Sequence, residues 1–132
     1  MQAENKANAG ASPIRKAMVV DDDKDRYRRK ERVTSIQNAG FKAYPVLRLH
    51  DVRSRCRPGS FDLVVVNATQ NVDLAVELCD EIKRNDPNQQ IFLVTAGAAA
   101  DRDYILRDWS QLGAKLGSPS VKNQQRPEHV AA

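Results

Sequence analysis

The sequence predicts an α/β domain, a parallel sheet with helices packed on both of its faces. Three apolar runs lead there: Ala17-Met18-Val19-Val20, Leu63-Val64-Val65-Val66 and Ile91-Phe92-Leu93-Val94. Each is too short for a helix, and none alternates with polar residues. A strand with one wet face alternates, whereas a continuous apolar strand is buried on both faces, as between two helical layers. Segments with apolar residues at helical spacing fill the intervals, and a strand–helix alternation of this kind specifies right-handed crossovers.

Taken in order, residues 1–13 are polar and small and predict a disordered tail. The first strand runs into Asp21-Asp22-Asp23. Residues 23–39 predict a helix with Asp23 as its cap, Tyr27, Val33 and Ile36 inward, and Gly40 beyond its end. Residues 41–46 predict a second strand, placed at an edge because Pro45 has no N–H to give a ladder. Residues 51–57 predict a short helix with Asp51 as cap and Pro58-Gly59 as its stop. Val72, Ala75, Val76, Cys79 and Ile82 repeat at helical spacing ahead of Asp86-Pro87. Ile105, Trp109 and Leu112 form a further helical stripe closed by Gly113, and residues 114–117 are the candidate fifth strand. Residues 118–132 show no apolar stripe and read as a polar tail, which leaves one domain over residues 14–117 with its last helix degenerate or missing.

The chain has 132 residues, 41% hydrophobic and 29% charged, enough for one domain with a real core and no need of disulfide or metal. Cys56 and Cys79 are far apart and outside any CxxC pair, so they read as reduced packing thiols. Nothing reaches membrane-spanning length, and the N-terminus lacks the apolar centre of a signal peptide, which points to the cytoplasm. The net charge of +4 suits an acidic partner without requiring one. The basic run from Arg26 to Arg32 reads first as a solvated helix face tied by pairs such as Asp25 with Arg29, and second as a phosphate-contacting surface. His50 and His129 read as isolated surface residues, and Trp109 as core.

In open α/β sheets ligands bind beyond the carboxyl ends of the strands. There the sequence puts Asp21-Asp22-Asp23, Asn67-Ala68-Thr69 and Thr95-Ala96. Three adjacent carboxylates repel one another. A hard cation such as Mg2+ relieves that repulsion, but so does the dipole of a following helix.

In combination, MVVDDD after the first strand, FDLVVVN after the third and FLVTA after the fourth resemble the receiver domains of two-component signalling. The interval of 28 residues from Asn67 to Thr95 and the register of Ala75, Val76, Leu78 and Ile82 fit the same resemblance. It implies a flavodoxin-like, doubly wound sheet of strand order 2-1-3-4-5. It also implies that Asp21 and Asp22 are the metal-binding acid pair, that Asn67 stands at the phosphoacceptor position, and that Thr95 is the hydroxyl that meets the phosphoryl group.

The departures from the pattern carry as much meaning. A carboxamide is a far poorer nucleophile than a carboxylate and removes a charged metal ligand. Gln70-Asn71 stand where the family usually has Met-Pro. Counted from Gly113-Ala114, the family's lysine would fall near Ser118 or Ser120, and neither Lys115 nor Lys122 is in register. The aromatic that precedes it is missing from Leu116-Gly117-Ser118. The expectation is therefore a pseudo-receiver: not an enzyme, needing no cofactor, binding Mg2+ weakly if at all, and acting through a protein partner such as a histidine kinase, another regulator or an output domain. A bared sheet face beside the missing helix would favour self-association, or a cover formed by residues 118–132 folding back. Three rivals remain: a working receiver captured as an Asp-to-Asn variant or using another acceptor, a small flavodoxin-like ligand binder or enzyme, and a nucleic-acid binder using the basic helix. The solvated-face reading of the basic run argues against nucleic acid, and the lack of a long apolar run argues against membrane. A Gly-rich phosphate loop is missing after the first strand, which argues against the enzyme.

Overall fold

The computed structural model describes residues 14–96 and 102–117, so the predicted tails, His129 and residues 97–101 lie outside the described residues. The elements are β1 (Arg15–Asp21), α1 (Arg26–Asn38), β2 (Phe41–Val46), a 3-10 turn (Leu49–Asp51), α2 (Val52–Arg55), β3 (Leu63–Asn67), α3 (Val72–Asn85), β4 (Gln90–Val94), β5 (Ile105–Leu106) and α4 (Trp109–Leu116). All strand pairings are parallel, in the order β2-β1-β3-β4-β5. This is the doubly wound, flavodoxin-like order expected. Pro45 stands on β2 at the sheet's edge, opposite Val19 of β1.

The apolar runs are continuous because alternate residues enter two different cores. Met18, Val20, Val64, Val66 and Leu93 pack with Val52, Ala75, Leu78 and Cys79 under α2 and α3. Ala17, Val19, Leu63, Val65 and Val94 pack with Ile36 and Leu112 under α1 and α4. The residues of these runs are thus buried whichever way they point, Phe92 only partly. No helix of the described residues is long and apolar enough to cross a membrane.

Three expectations need correction. First, α1 begins at Arg26 and its cap is Asp25, whose side chain accepts from the Tyr27 and Arg28 amides. Tyr27 is 76% exposed rather than inward. It lies nine residues before buried Ile36, and at about 100° per residue that is the opposite side of the helix. Arg29, Arg32, Val33 and Ile36 make the i, i+3, i+4, i+7 stripe instead. Second, the Asp25 partner is Arg28 at 3.6 Å, while Arg29 donates to the Asp23 carbonyl.

Third, the last strand and helix lie earlier than the periodicity suggests. Ile105 and Leu106 do not share a helical stripe. They enter the two opposite cores, as successive strand residues must, and pair with Leu93 and Val94. Asp108 caps the following helix by accepting the Gln111 amide at 3.0 Å. Gly113 lies inside that helix, and the stop is Gly117, at φ +66, where the left-handed turn favours a residue without Cβ. Residues 114–117 are therefore helix and its end, not a fifth strand. The last helix is present, with Leu112 buried in the core beneath it, so the expected bared face and its reason for self-association fall away. Cys56 and Cys79 are free thiols packed at one core, and burial pushes the Cys79 thiol up to about 12.

Leu112→Ala is expected to lower unfolding stability by about 2–5 kcal/mol through the cavity it leaves. In urea titration the midpoint should fall with the slope unchanged. A loss under about 0.5 kcal/mol, the size of an ordinary surface change, would mean that α4 is not docked as described.

Candidate functional site at the carboxyl edge of the sheet

The β1 and β3 registers put Asp21 directly beside Asn67, and Asn67 beside Val94, one residue before Thr95. Asp21, Asn67 and Thr95 are all buried side chains, and Asp22 is half-buried above them. The four residues singled out from the sequence therefore meet at one edge of the sheet. Their partners decide what they can do.

Asp21 is 3% exposed. Both its oxygens face the Arg32 guanidinium, at 3.2 and 3.1 Å, and the same Nη1 reaches Asp23 at 3.0 Å. Arg32 comes from the inner stripe of α1, where hydrophobic periodicity singles out only apolar residues. A buried carboxylate without a counter-charge is strongly unfavourable, and here an arginine supplies that charge. Burial alone would make Arg32 easier to deprotonate, but hydrogen bonds and charge from Asp21 and Asp23 outweigh it and hold the guanidinium protonated.

Asp22 faces the other way. It accepts from Thr69 N and Thr69 Oγ1, both at 2.8 Å, and from the amides of Gln70 at 3.1 Å and Asn71 at 3.3 Å. Successive backbone N–H groups of this kind make an anion-binding concavity, and the carboxylate of Asp22 fills it. Burial alone would raise the Asp22 carboxyl, yet those hydrogen bonds outweigh it and hold the group below the usual aspartate range.

Asn67 sits between two partners that fix its amide. Its Nδ2 donates to Asp21 Oδ1 at 3.1 Å, and its Oδ1 accepts from the Trp109 indole at 2.9 Å. A carboxylate could satisfy the indole but would stand against Asp21 as a like charge. Trp109, expected in the core, packs only partly against the apolar cluster and directs its N–H into this site.

An Mg2+ ion fits these residues poorly. Both oxygens of Asp21 are engaged by a guanidinium, both oxygens of Asp22 by the donors that lead into α3, and the third position is a neutral amide. No group of three acidic, histidine or cysteine side chains among the described residues is arranged to hold a metal.

The corrected position of β5 also changes what stands at its end. Arg107 directly follows the strand, and Tyr104 directly precedes it. A basic residue and an aromatic are therefore present, 11 to 14 residues before the positions counted from Gly113. Tyr104 is buried and donates its hydroxyl to Asp80 Oδ1 at 2.7 Å, while Arg102 grips the same carboxylate at 2.8–3.2 Å. Hydrogen bonding from Arg102 first, then from Tyr104, outweighs burial and holds Asp80 below the usual range. The signal for this register is faint in the sequence: two apolar residues between a tyrosine and an arginine, with an aspartate cap immediately after.

No family model matches the sequence, and a search of curated proteins finds no match. Among solved structures the chain is similar to one chain of the crystal structure of histidine kinase ThkA in complex with response regulator protein TrrA. The TM-score is 0.59 at 19% identity, covering 77% of this chain and 96% of that one. The likeness is one of fold, and the fold is receiver-like.

Arg32→Met should cost on the order of 3 kcal/mol, because it leaves the Asp21 charge buried without its partner. Thermal unfolding of the variant near neutral pH checks this. A variant as stable as the parent would mean that Arg32 does not neutralise the acid cluster.

Asp22 carries a pH signature. Its folded-state pKa is depressed, so its stabilisation is full above the ordinary aspartate pKa and is lost as pH falls through the folded value. Asp22→Asn should therefore be less stable than the parent at neutral pH, with the gap closing in acid. A gap that stays constant down to the acid limit would contradict the hydrogen-bonded carboxylate.

Proposed function

We propose that this chain is a receiver-like signal-transduction module that does not accept phosphate and works by binding a protein. The observation that carries the reading is the state of the acceptor position. Asn67 is a neutral amide clamped between Asp21 and Trp109, beside an acid pair already engaged by Arg32. Phosphotransfer to a receiver needs an anionic oxygen that attacks phosphorus and a cation that shields the incoming phosphoryl group. Asn67 offers an amide oxygen whose lone pair already accepts from an indole. The cation present is fixed on protein carboxylates, and the backbone nest after Thr69 holds Asp22. On this reading Mg2+ is not required, the domain is not an enzyme, and it acts in the cytoplasm. The solved structure that shares its fold comes from a complex of a histidine kinase with a response regulator. That supports a partner of the same kind here: a kinase, another regulator or an output domain.

One observation favours a second reading, a working receiver seen with an Asp-to-Asn change. Arg107 at the end of β5 and Tyr104 before it occupy places where the family carries a lysine and an aromatic. The two readings part on one variant. Asn67→Asp with Arg32 intact puts a carboxylate against Asp21, and the pseudo-receiver reading expects it still to take no phosphoryl group. The parent and Asn67→Asp are each incubated with acetyl phosphate and Mg2+ and weighed intact. No adduct on either is the expected result. An adduct on Asn67→Asp alone would establish the second reading, and one on the parent would overturn both.

A further inference from the structure

We propose that the groove between α1 and the carboxyl end of β2 binds a small amphipathic anion, an apolar body carrying a single carboxylate-type head. The groove encloses about 320 Å3, at the lower end of the range for small-molecule sites. Its apolar surface comes from Val33 on α1 and from Pro45, Val46 and Leu47 at the end of β2. Leu47 is left 59% exposed there, although Val46 beside it is buried.

The charge around this floor is one-sided once the internal pairs are set aside. Asp21 also lines the groove, but its carboxylate is engaged by Arg32. Arg29 is engaged by the Asp23 carbonyl. Arg26 and Lys30 remain, and among the described residues neither side chain has a hydrogen-bond or ion-pair partner. They stand four residues apart on one side of α1, so their Cβ atoms are roughly 5–6 Å apart and both can reach one anionic head. A solvated helix face accounts for two cations in water. Their stems can lie along the apolar floor, but among the described residues no anion meets the two charged heads. A ligand with an anionic end and an apolar body satisfies both at once. Asn67 does not line the groove, although it contacts Asp21, which does; the inference rests on Arg26, Lys30 and the apolar floor and not on whether Asn67 takes phosphate.

Octanoate is the probe, titrated into the full chain with methyl NMR as the readout and octanamide as the uncharged control. Saturable shifts confined to the methyls of Val33, Val46 and Leu47 are expected, with octanoate about tenfold tighter than octanamide, the size of two weak charge contacts. The double variant Arg26→Gln/Lys30→Gln changes two exposed side chains, so the rest of the spectrum should stay the same while the preference for octanoate disappears. Leu47→Ser should weaken both probes. The proposal is overturned if those methyls show no saturable shift, if both probes bind equally to the parent, or if the preference for octanoate survives the double variant.

Discussion

Asp21 is a carboxylate at the end of a central strand, almost out of water, and the geometry around it follows from how its charge is met. The parallel register leaves it no escape, since β1 is flanked by β2 on one side and β3 on the other. A mobile cation or a fixed one could balance it. The fixed one is Arg32, which approaches both oxygens and also holds Asp23. Placing Arg32 there commits the inner stripe of α1 to a charged residue near the strand ends and leaves the apolar packing to Val33 and Ile36 further along. The helix is thereby tied to the sheet by charge at one end and by burial at the other.

The neutral amide of Asn67 is compatible with that arrangement in a way a second carboxylate is not. It donates to Asp21, so it adds to the neutralisation instead of opposing it, and its oxygen is left to accept from Trp109. One side chain therefore links β1, β3 and the start of α4. A buried polar group held on both of its ends is rigid, because any rotation leaves a donor or acceptor unpaired. Asp22 plays the matching part on the other side by holding the amides that lead into α3. The carboxyl edge of the sheet is thus closed by its own residues.

A second polar clamp lies at the far side of the sheet. Asp80 on α3 receives Tyr104 and Arg102, which flank the entry to β5. β5 has only two residues, too few for its own ladder to position it firmly, and the clamp anchors the chain just before it. The buried tyrosine hydroxyl is satisfied by a carboxylate and packs into the core with its ring. Signalling by a moving aromatic would require breaking this pair.

The sheet is legible in the amino-acid order alone. Continuous β-branched runs bury both strand faces, helical spacing fills the gaps, and Pro45 places β2 at an edge; the full order 2-1-3-4-5 is what the resemblance to receiver domains implies, and the fifth strand itself is not legible. The gathering of Asp21, Asp22, Asn67 and Thr95 is legible too, because strand ends converge in any parallel sheet. Three features belong to the folded chain. Arg32 and Trp109 reach Asp21 and Asn67 from segments 11 and 42 residues away, and no local pattern reveals such a pairing. Tyr27 is apolar enough to suggest an inward position, yet the helical angle from Ile36 turns it outward. The short β5 has two residues and so no periodicity of its own; its identity as a strand comes from pairing with β4 and from opposite cores accepting Ile105 and Leu106. Local patterns report which residues must be buried. Which charges meet is set by contacts distant in sequence, and those exist only once the chain is folded.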